Sequence, residues 1–355
     1  MDKECERLNG AMDRAMRGLR TDDKAIIEIL TNKSDEQRKE LSAKYKELYQ
    51  EDLLDSLERA TAGNFRKVIC GLLKSPAQVN AGYVKDALEG FRVDYEALIG
   101  VICVLNNEEI KALKEAYHEE FGKKLEEHVR SRTSGDVGTM LVSLLQANRS
   151  ESTEVDEGQA KTDAQELKNV FYATFGGDKS VPITIFVNRS YDQLRATFNE
   201  YATLTNSTIL ADIESKLSGN LAKAFLTIGS LVIDDVKYYA KTLYDSMKGL
   251  GTRDAILMFV VTRTYRTKMK EIKPAYLKEY GETLTSWIED DTSGAYKRSL
   301  LALVGPEGGE EAPAESTDQA AKPETQDQGQ EQATEQAAEA PAEEPPAEAT
   351  EQAAE

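Results

Sequence analysis

Cysteine is scarce in this chain and forms no framework: Cys5, Cys70 and Cys103 are an odd number at irregular spacing. Two of them lie in apolar helical runs, which reads as reduced, buried thiols of a cytosolic protein. No apolar run reaches the roughly 18–20 residues that span a bilayer. The charged start, Met1-Asp-Lys-Glu-Cys-Glu-Arg, is not a secretory signal, so any membrane contact is expected to be peripheral. Histidine is limited to His118 and His128; with no partner spacing, both read as solvated rather than as ligands. There is no Ser/His/Asp, Cys/His or paired-carboxylate constellation, so the chain is not read as an enzyme. Nor does any segment alternate apolar and polar residues over a strand's length, which leaves an all-α chain.

Large apolar side chains are missing altogether from Gly305 to Glu355, as are aromatics. This Ala/Glu/Gln/Pro-rich stretch holds six of the nine prolines and fifteen Asp/Glu against one Lys, so it carries −14 of the net −19 and leaves −5 for residues 1–304. Such a composition cannot bury enough apolar surface to offset ordering entropy, and residues 305–355 are expected to form a disordered acidic tail.

Before the tail, apolar residues recur at helical spacing. Ile26, Ile27, Ile29 and Leu30 mark one helix, with acids in its first turn. Ser34 with Gln37 reads as a capping box that opens the next, with Leu41, Tyr45 and Leu48 along it. Pro182 is compatible with a helix only if that helix starts near Ser180, and Pro274 falls inside an expected helix from Lys268 to Tyr280, where it should kink it. In Gly249-Leu-Gly-Thr252, the glycines allow a sharp turn that presents carbonyl oxygens outward, and Thr252 reads as the N-cap of the helix that follows. Outward carbonyls are half of a site for a hard cation; the other half must be a carboxylate from elsewhere.

That carboxylate is suggested by an internal repeat. The loops Gly18–Thr21, Gly90–Val93, Thr174–Gly177 and Gly249–Thr252 are each followed, after 38 intervening residues, by a turn beginning at Ala60, Arg132, Lys216 and Asp291. The units are expected at 7–75, 83–148, 163–233 and 237–304, with a polar linker at 149–162.

Four helical units of about this length with this loop resemble the annexins, and Met247-Lys-Gly-Leu-Gly-Thr252 with Asp291 matches that family's calcium signature. The resemblance covers residues 6–304. It implies four repeats of five helices forming a curved disc, and calcium-dependent binding to acidic phospholipid membranes through loops on the convex face. By the same resemblance, the carbonyls of Met247, Gly249 and Gly251 and a bidentate Asp291 hold Ca²⁺. The other repeats have Ala60, Arg132 and Lys216 at the carboxylate position, so one good site is expected, not four.

Leu19, Phe91, Phe175 and Leu250 are apolar at every loop tip and read as membrane wedges. Arg132 and Lys216, with Arg17, Arg20, Arg92, Lys179, Lys248 and Arg253, are expected to add a basic face that gives some calcium-independent lipid contact. No nucleic-acid partner is expected. The acidic tail is a candidate contact for a protein partner, and self-association on membranes is a further expectation, in a protein of the cytoplasm that is peripherally membrane-associated. The competing reading is a helical-repeat scaffold, for instance one associated with the cytoskeleton, whose degenerate sites bind no calcium.

Overall fold

The computed structural model describes residues 1–16, 21–174 and 177–307. Among them are twenty α-helices and no strand, and they run in four sets of five. The first set comprises α1 (Asp2–Met16), α2 (Asp23–Thr31), α3 (Asp35–Tyr49), α4 (Leu53–Ala60) and α5 (Gly63–Gly71). The second is α6 (Pro76–Glu89), α7 (Tyr95–Ile102), α8 (Asn107–Phe121), α9 (Leu125–Arg132) and α10 (Gly135–Leu144). The third is α11 (Glu157–Phe171), α12 (Ser180–Asn188), α13 (Tyr191–Thr205), α14 (Ile209–Lys216) and α15 (Gly219–Ile233). The fourth is α16 (Asp235–Met247), α17 (Asp254–Thr264), α18 (Met269–Tyr280), α19 (Leu284–Asp291) and α20 (Gly294–Val304). The bulk of the acidic tail, 308–355, lies outside the described residues.

Local chemistry explains the element boundaries. Ser34 and Gln37 form the expected reciprocal box, Gln37 N donating to Ser34 Oγ at 3.2 Å and Ser34 N to Gln37 Oε1 at 2.9 Å. Asn106 and Glu109 repeat that box at the start of α8. The fifth helix of each set begins at a glycine in the left-handed region, Gly63, Gly135, Gly219 and Gly294, with φ of 60°, 65°, 74° and 64°. The final residue of each fourth helix is the register residue found by spacing: Ala60, Arg132, Lys216 or Asp291.

Three local expectations are corrected. Thr252 does not cap α17, whose N-cap is Arg253 with no side-chain bond, because its hydroxyl is engaged by Asp291. The stretch expected as a linker is helical from Glu157 onward, where Ala160 of α11 is buried; just beyond it Asp163 is buried too, its carboxylate met by Arg189 Nε at 2.6 Å. Leu48, expected on the apolar face of α3, is exposed. α12 starts at Ser180 as expected, so Pro182 sits in the first turn, where its missing N–H costs no intrahelical bond. α18 runs through Pro274.

The core is one continuous cluster that runs through all four sets. α17 packs on α5, α6, α7 and α20, so the fourth repeat touches both the first and second; α15 packs on α7, and α2 on α20. Buried polar groups tie these seams. Arg38, only 2% exposed, donates to the Tyr265 hydroxyl at 2.9 and 3.2 Å and to the Leu30 carbonyl at 3.0 Å. Burial lowers the Arg38 pKa from its ordinary value, an effect opposed by the neighbouring Tyr265 and Asp35. All three cysteines are free and buried.

Candidate cation site and loop face

α16 ends at Met247, and the chain then turns through Gly249 (φ 98°) and Gly251 (φ 85°). Both values lie in the left-handed region that glycine alone adopts without strain. Arg253 N closes the loop onto the Ser246 carbonyl at 2.8 Å, and Lys248 N reaches the Tyr244 carbonyl at 2.8 Å. Behind the helix end, Tyr244 stacks on Tyr280 with ring centroids 3.9 Å apart and meets Trp287 edge-on at 5.1 Å. The loop therefore leaves a firmly packed platform, and its tip residue, Leu250, is fully exposed.

Asp291, last residue of α19, comes to this loop through Thr252. The Thr252 hydroxyl lies 2.6 Å from Asp291 Oδ2 and 3.0 Å from the Asp291 carbonyl. Among the described residues, no protein donor reaches the carbonyl oxygens of Met247, Gly249 or Gly251. The helix C-terminus thus presents open oxygens carrying partial negative charge, beside a loop to which a carboxylate is fixed. No group of three or more His, Cys, Asp or Glu side chains is placed to hold a metal among the described residues, so a cation here must depend on backbone oxygens. The donor set is all oxygen with one carboxylate, which fits Ca²⁺ held weakly.

The equivalent positions elsewhere differ. In the second repeat, Arg132 donates from Nε to the Leu88 carbonyl at 2.8 Å and from Nη2 to the Gly90 carbonyl at 2.8 Å. In the third, Lys216 pairs with Asp212, and its ammonium sits 4.0 Å from the centre of the Tyr172 ring. In the first, Ala60 offers no ligand, and Glu58 is paired with Lys74 at 3.4 Å. Phe91 is fully exposed like Leu250, whereas Leu19 and Phe175, together with Arg17 and Arg20, lie outside the described residues. Two more residues of the expected basic face pair internally: Lys248 lies 2.5 Å from Asp245, and Arg253 pairs with Glu96. Arg92 and Lys179 make no ion pair among the described residues.

Sequence reasoning missed a second repeat-wide feature. Tyr45, Tyr117, Tyr201 and Tyr276 occupy one register position in the third helices and are all buried. Their hydroxyls meet different partners: Asn9 Oδ1 at 2.9 Å, His128 Nδ1 at 2.7 Å and Asp212 Oδ2 at 2.5 Å. The Tyr276 hydroxyl has no protein partner among the described residues. His128 is therefore not the solvated side chain expected, but a partner for a buried phenol. Asp212 is desolvated, which raises its pKa, yet hydrogen bonds from Lys216 and Tyr201 outweigh this and hold the carboxyl below its ordinary value. The constant offset of these tyrosines from the loops was available in the sequence.

The annexin family model matches residues 10–72, 80–144, 162–228 and 238–303, and the chain belongs to the annexin family. It is 37% identical to human annexin A13 over 304 residues, covering 86% of this chain and 95% of that protein. It is 39% identical to bovine annexin A5 over 294 residues, covering 83% of this chain and 92% of that one. Among solved structures it resembles an annexin A8 mutant with a TM-score of 0.81 at 34% identity, covering 86% of this chain and 94% of that chain. It also resembles calcium-bound annexin (Sm)1, with a TM-score of 0.74 at 31% identity and 86% and 90% coverage. Annexins bind phospholipid in a calcium-dependent manner and are generally not enzymes. No helix among the described residues is long and apolar enough to cross a membrane.

Proposed function

We propose that this annexin docks peripherally on acidic phospholipid membranes when calcium occupies the loop of the fourth repeat. The observation that supports this is the set of open carbonyls at the end of α16, beside a loop joined to Asp291 through Thr252. Met247, Gly249 and Gly251 would hold the ion through their carbonyl oxygens and Asp291 through its carboxylate. Calcium, when bound, supplies a positive centre on which a lipid phosphate oxygen completes the coordination shell. A single protein carboxylate keeps affinity low until an anionic headgroup joins it, so calcium and lipid promote one another's binding.

Leu250, fully exposed beside this loop, enters the headgroup–acyl boundary, as Phe91 and the equivalent tips Leu19 and Phe175 would. Arg132 and Lys216 spend their charge mainly on their own repeats, on the Leu88 and Gly90 carbonyls and on Asp212. They touch lipid as exposed side chains rather than as a free basic field. The protein works from the cytoplasmic side of the membrane as a binding protein, with no catalytic step.

The deciding experiment is binding to phosphatidylserine liposomes against free calcium, for the wild type and Asp291→Ala. The variant should require at least about tenfold more calcium, the loss of roughly one charged ligand interaction. Coincident curves for the two proteins would sink the assignment and return the scaffold reading.

A further inference from the structure

We propose that Arg132 acts as a resident cation for the second repeat, fixing its loop so that Phe91 anchors the protein in an anionic phospholipid bilayer without calcium. This rests on the membrane-facing reading of the loops given above, and adds to it an anchor that needs no metal.

The last carbonyls of an α-helix lack intrahelical donors and carry partial negative charge, so they attract a cation. At the end of α16 they are open; at the end of α6 they are taken. Arg132 reaches from the end of α9 and places Nε 2.8 Å from the Leu88 carbonyl and Nη2 2.8 Å from the Gly90 carbonyl. In the four-fold register Leu88 corresponds to Met247, Gly90 to Gly249 and Arg132 to Asp291. Where the fourth repeat offers carbonyls and an anion to a diffusible cation, the second offers the same carbonyls to one attached to the chain. A guanidinium suits this role because it is planar, forked and charged at every physiological pH.

The two loops differ in backbone, as they should if they close around different groups. Gly249 has φ 98°, whereas Gly90 has φ −59° and ψ 167°. Gly90 is also tightly set, since a Cβ there would lie 3.0 Å from the Arg92 carbonyl. Both loops nevertheless close with equivalent backbone bonds, Asp94 N to the Ala87 carbonyl at 2.9 Å and Arg253 N to the Ser246 carbonyl at 2.8 Å. Both deliver the tip side chain wholly to solvent, Phe91 at 99% and Leu250 at 108% relative exposure. The pair between Arg253 and Glu96 joins the chain just past one tip to the chain just past the other, so the tips share an edge of the molecule. An isolated phenyl ring beside the exposed Arg92, which makes no ion pair among the described residues, suits the boundary between anionic headgroups and acyl chains.

The test uses the full-length protein and phosphatidylserine/phosphatidylcholine vesicles, in EGTA and in calcium. Binding is read by cosedimentation, loop order by amide hydrogen exchange across residues 88–93, and folding by the thermal midpoint. In EGTA, Phe91→Ala should weaken binding by about tenfold or more, the worth of one aromatic side chain taken out of water. Arg132→Ala should accelerate exchange across 88–93 and weaken EGTA binding likewise, with neither defect repaired by calcium. Should Arg132→Ala fail to fold, Arg132→Lys keeps the charge without the fork and should show the same defects in milder form.

Unchanged EGTA binding in both Phe91→Ala and the Arg132 variant overturns the proposal. So does a wild type that binds only with calcium and through Asp291, a result that leaves the principal function standing. A wild type that binds vesicles in neither condition removes both.

Discussion

Arg263 of the fourth repeat grips Glu109 of the second with both arms of its guanidinium, Nη1 to Oε1 at 3.0 Å and Nη2 to Oε2 at 3.1 Å. Its Nε donates to the Tyr239 hydroxyl at 3.0 Å, and Nη2 also reaches the Val104 carbonyl at 3.1 Å. Burial works against the charged guanidinium, but Glu109 and Tyr239 more than compensate, and its pKa lies above the ordinary arginine value. One arginine thus joins repeats that are distant in sequence. Glu109→Ala should leave that guanidinium partly desolvated without its anion and lower stability by about 1–3 kcal/mol, measured by urea unfolding.

Asp291→Asn keeps the shape of the proposed calcium ligand and the hydrogen bond with Thr252, but removes the charge. Calcium that binds only the folded protein raises its stability, by about 2.7 kcal/mol when the ion is at a hundred times its dissociation constant. The thermal midpoint of the wild type should therefore climb with millimolar calcium while that of Asp291→Asn stays nearly flat. A variant that climbs as steeply as the wild type would place the ion elsewhere.

Gly251 tests the backbone rather than the side chains. A Cβ at this position meets nothing within 4 Å, yet φ is 85°, so Gly251→Ala should cost about 1–2 kcal/mol through backbone strain alone. The same strain should pull a carbonyl out of place and shift calcium-dependent liposome binding to higher calcium. Gly71→Ala, at a helical glycine whose added Cβ would make only ordinary contact with Val79, is the control expected to leave calcium binding unchanged.

The His128 imidazole should give a pH signature. Burial first, then the charges of Lys123 and Arg132, hold its pKa below the ordinary 6.5, with Glu89 pulling the other way. The folded protein therefore takes up a proton less readily than the unfolded chain. The associated stability is fully present above pH 6.5 and is lost as pH falls through the lower folded value. Chemical unfolding at pH 7.5 and 5.5 should show a larger drop for the wild type than for His128→Gln; equal drops would mean that the burial of His128 carries no proton linkage.

Much of the fold was legible because repetition amplifies weak local signals. A single Gly-Leu-Gly-Thr is an ordinary turn, but one constant gap from each loop to Ala60, Arg132, Lys216 and Asp291 located the ends of all the fourth helices. Capping chemistry placed the start of α3, and the restriction imposed by Pro182 placed the start of α12. What could not be read was side-chain reach. Nothing local says that Arg132 turns back to Leu88 and Gly90, or that Thr252 prefers the Asp291 carboxylate to the first turn of α17. Those choices depend on where the fourth helix of a repeat lies against its first. The linker was overextended because the first turns of α11, from Glu157, are polar and have few apolar residues.

The tyrosines of the third helices bear on how freely these repeats can be exchanged. Their backbones follow one plan, but the partner of each phenol differs: Asn9 on α1, His128 on α9, Asp212 on α14 and, among the described residues, no protein group for Tyr276. A third helix grafted from one repeat into another would bring its hydroxyl to a pocket furnished for someone else's partner. The smallest portable module is therefore the tyrosine together with its partner, and in the second and third repeats that partner lies one helical turn before Arg132 or Lys216. In the second and third repeats, chimeras that move the fourth helix with the third should fold; those that divide them should strand a buried phenol.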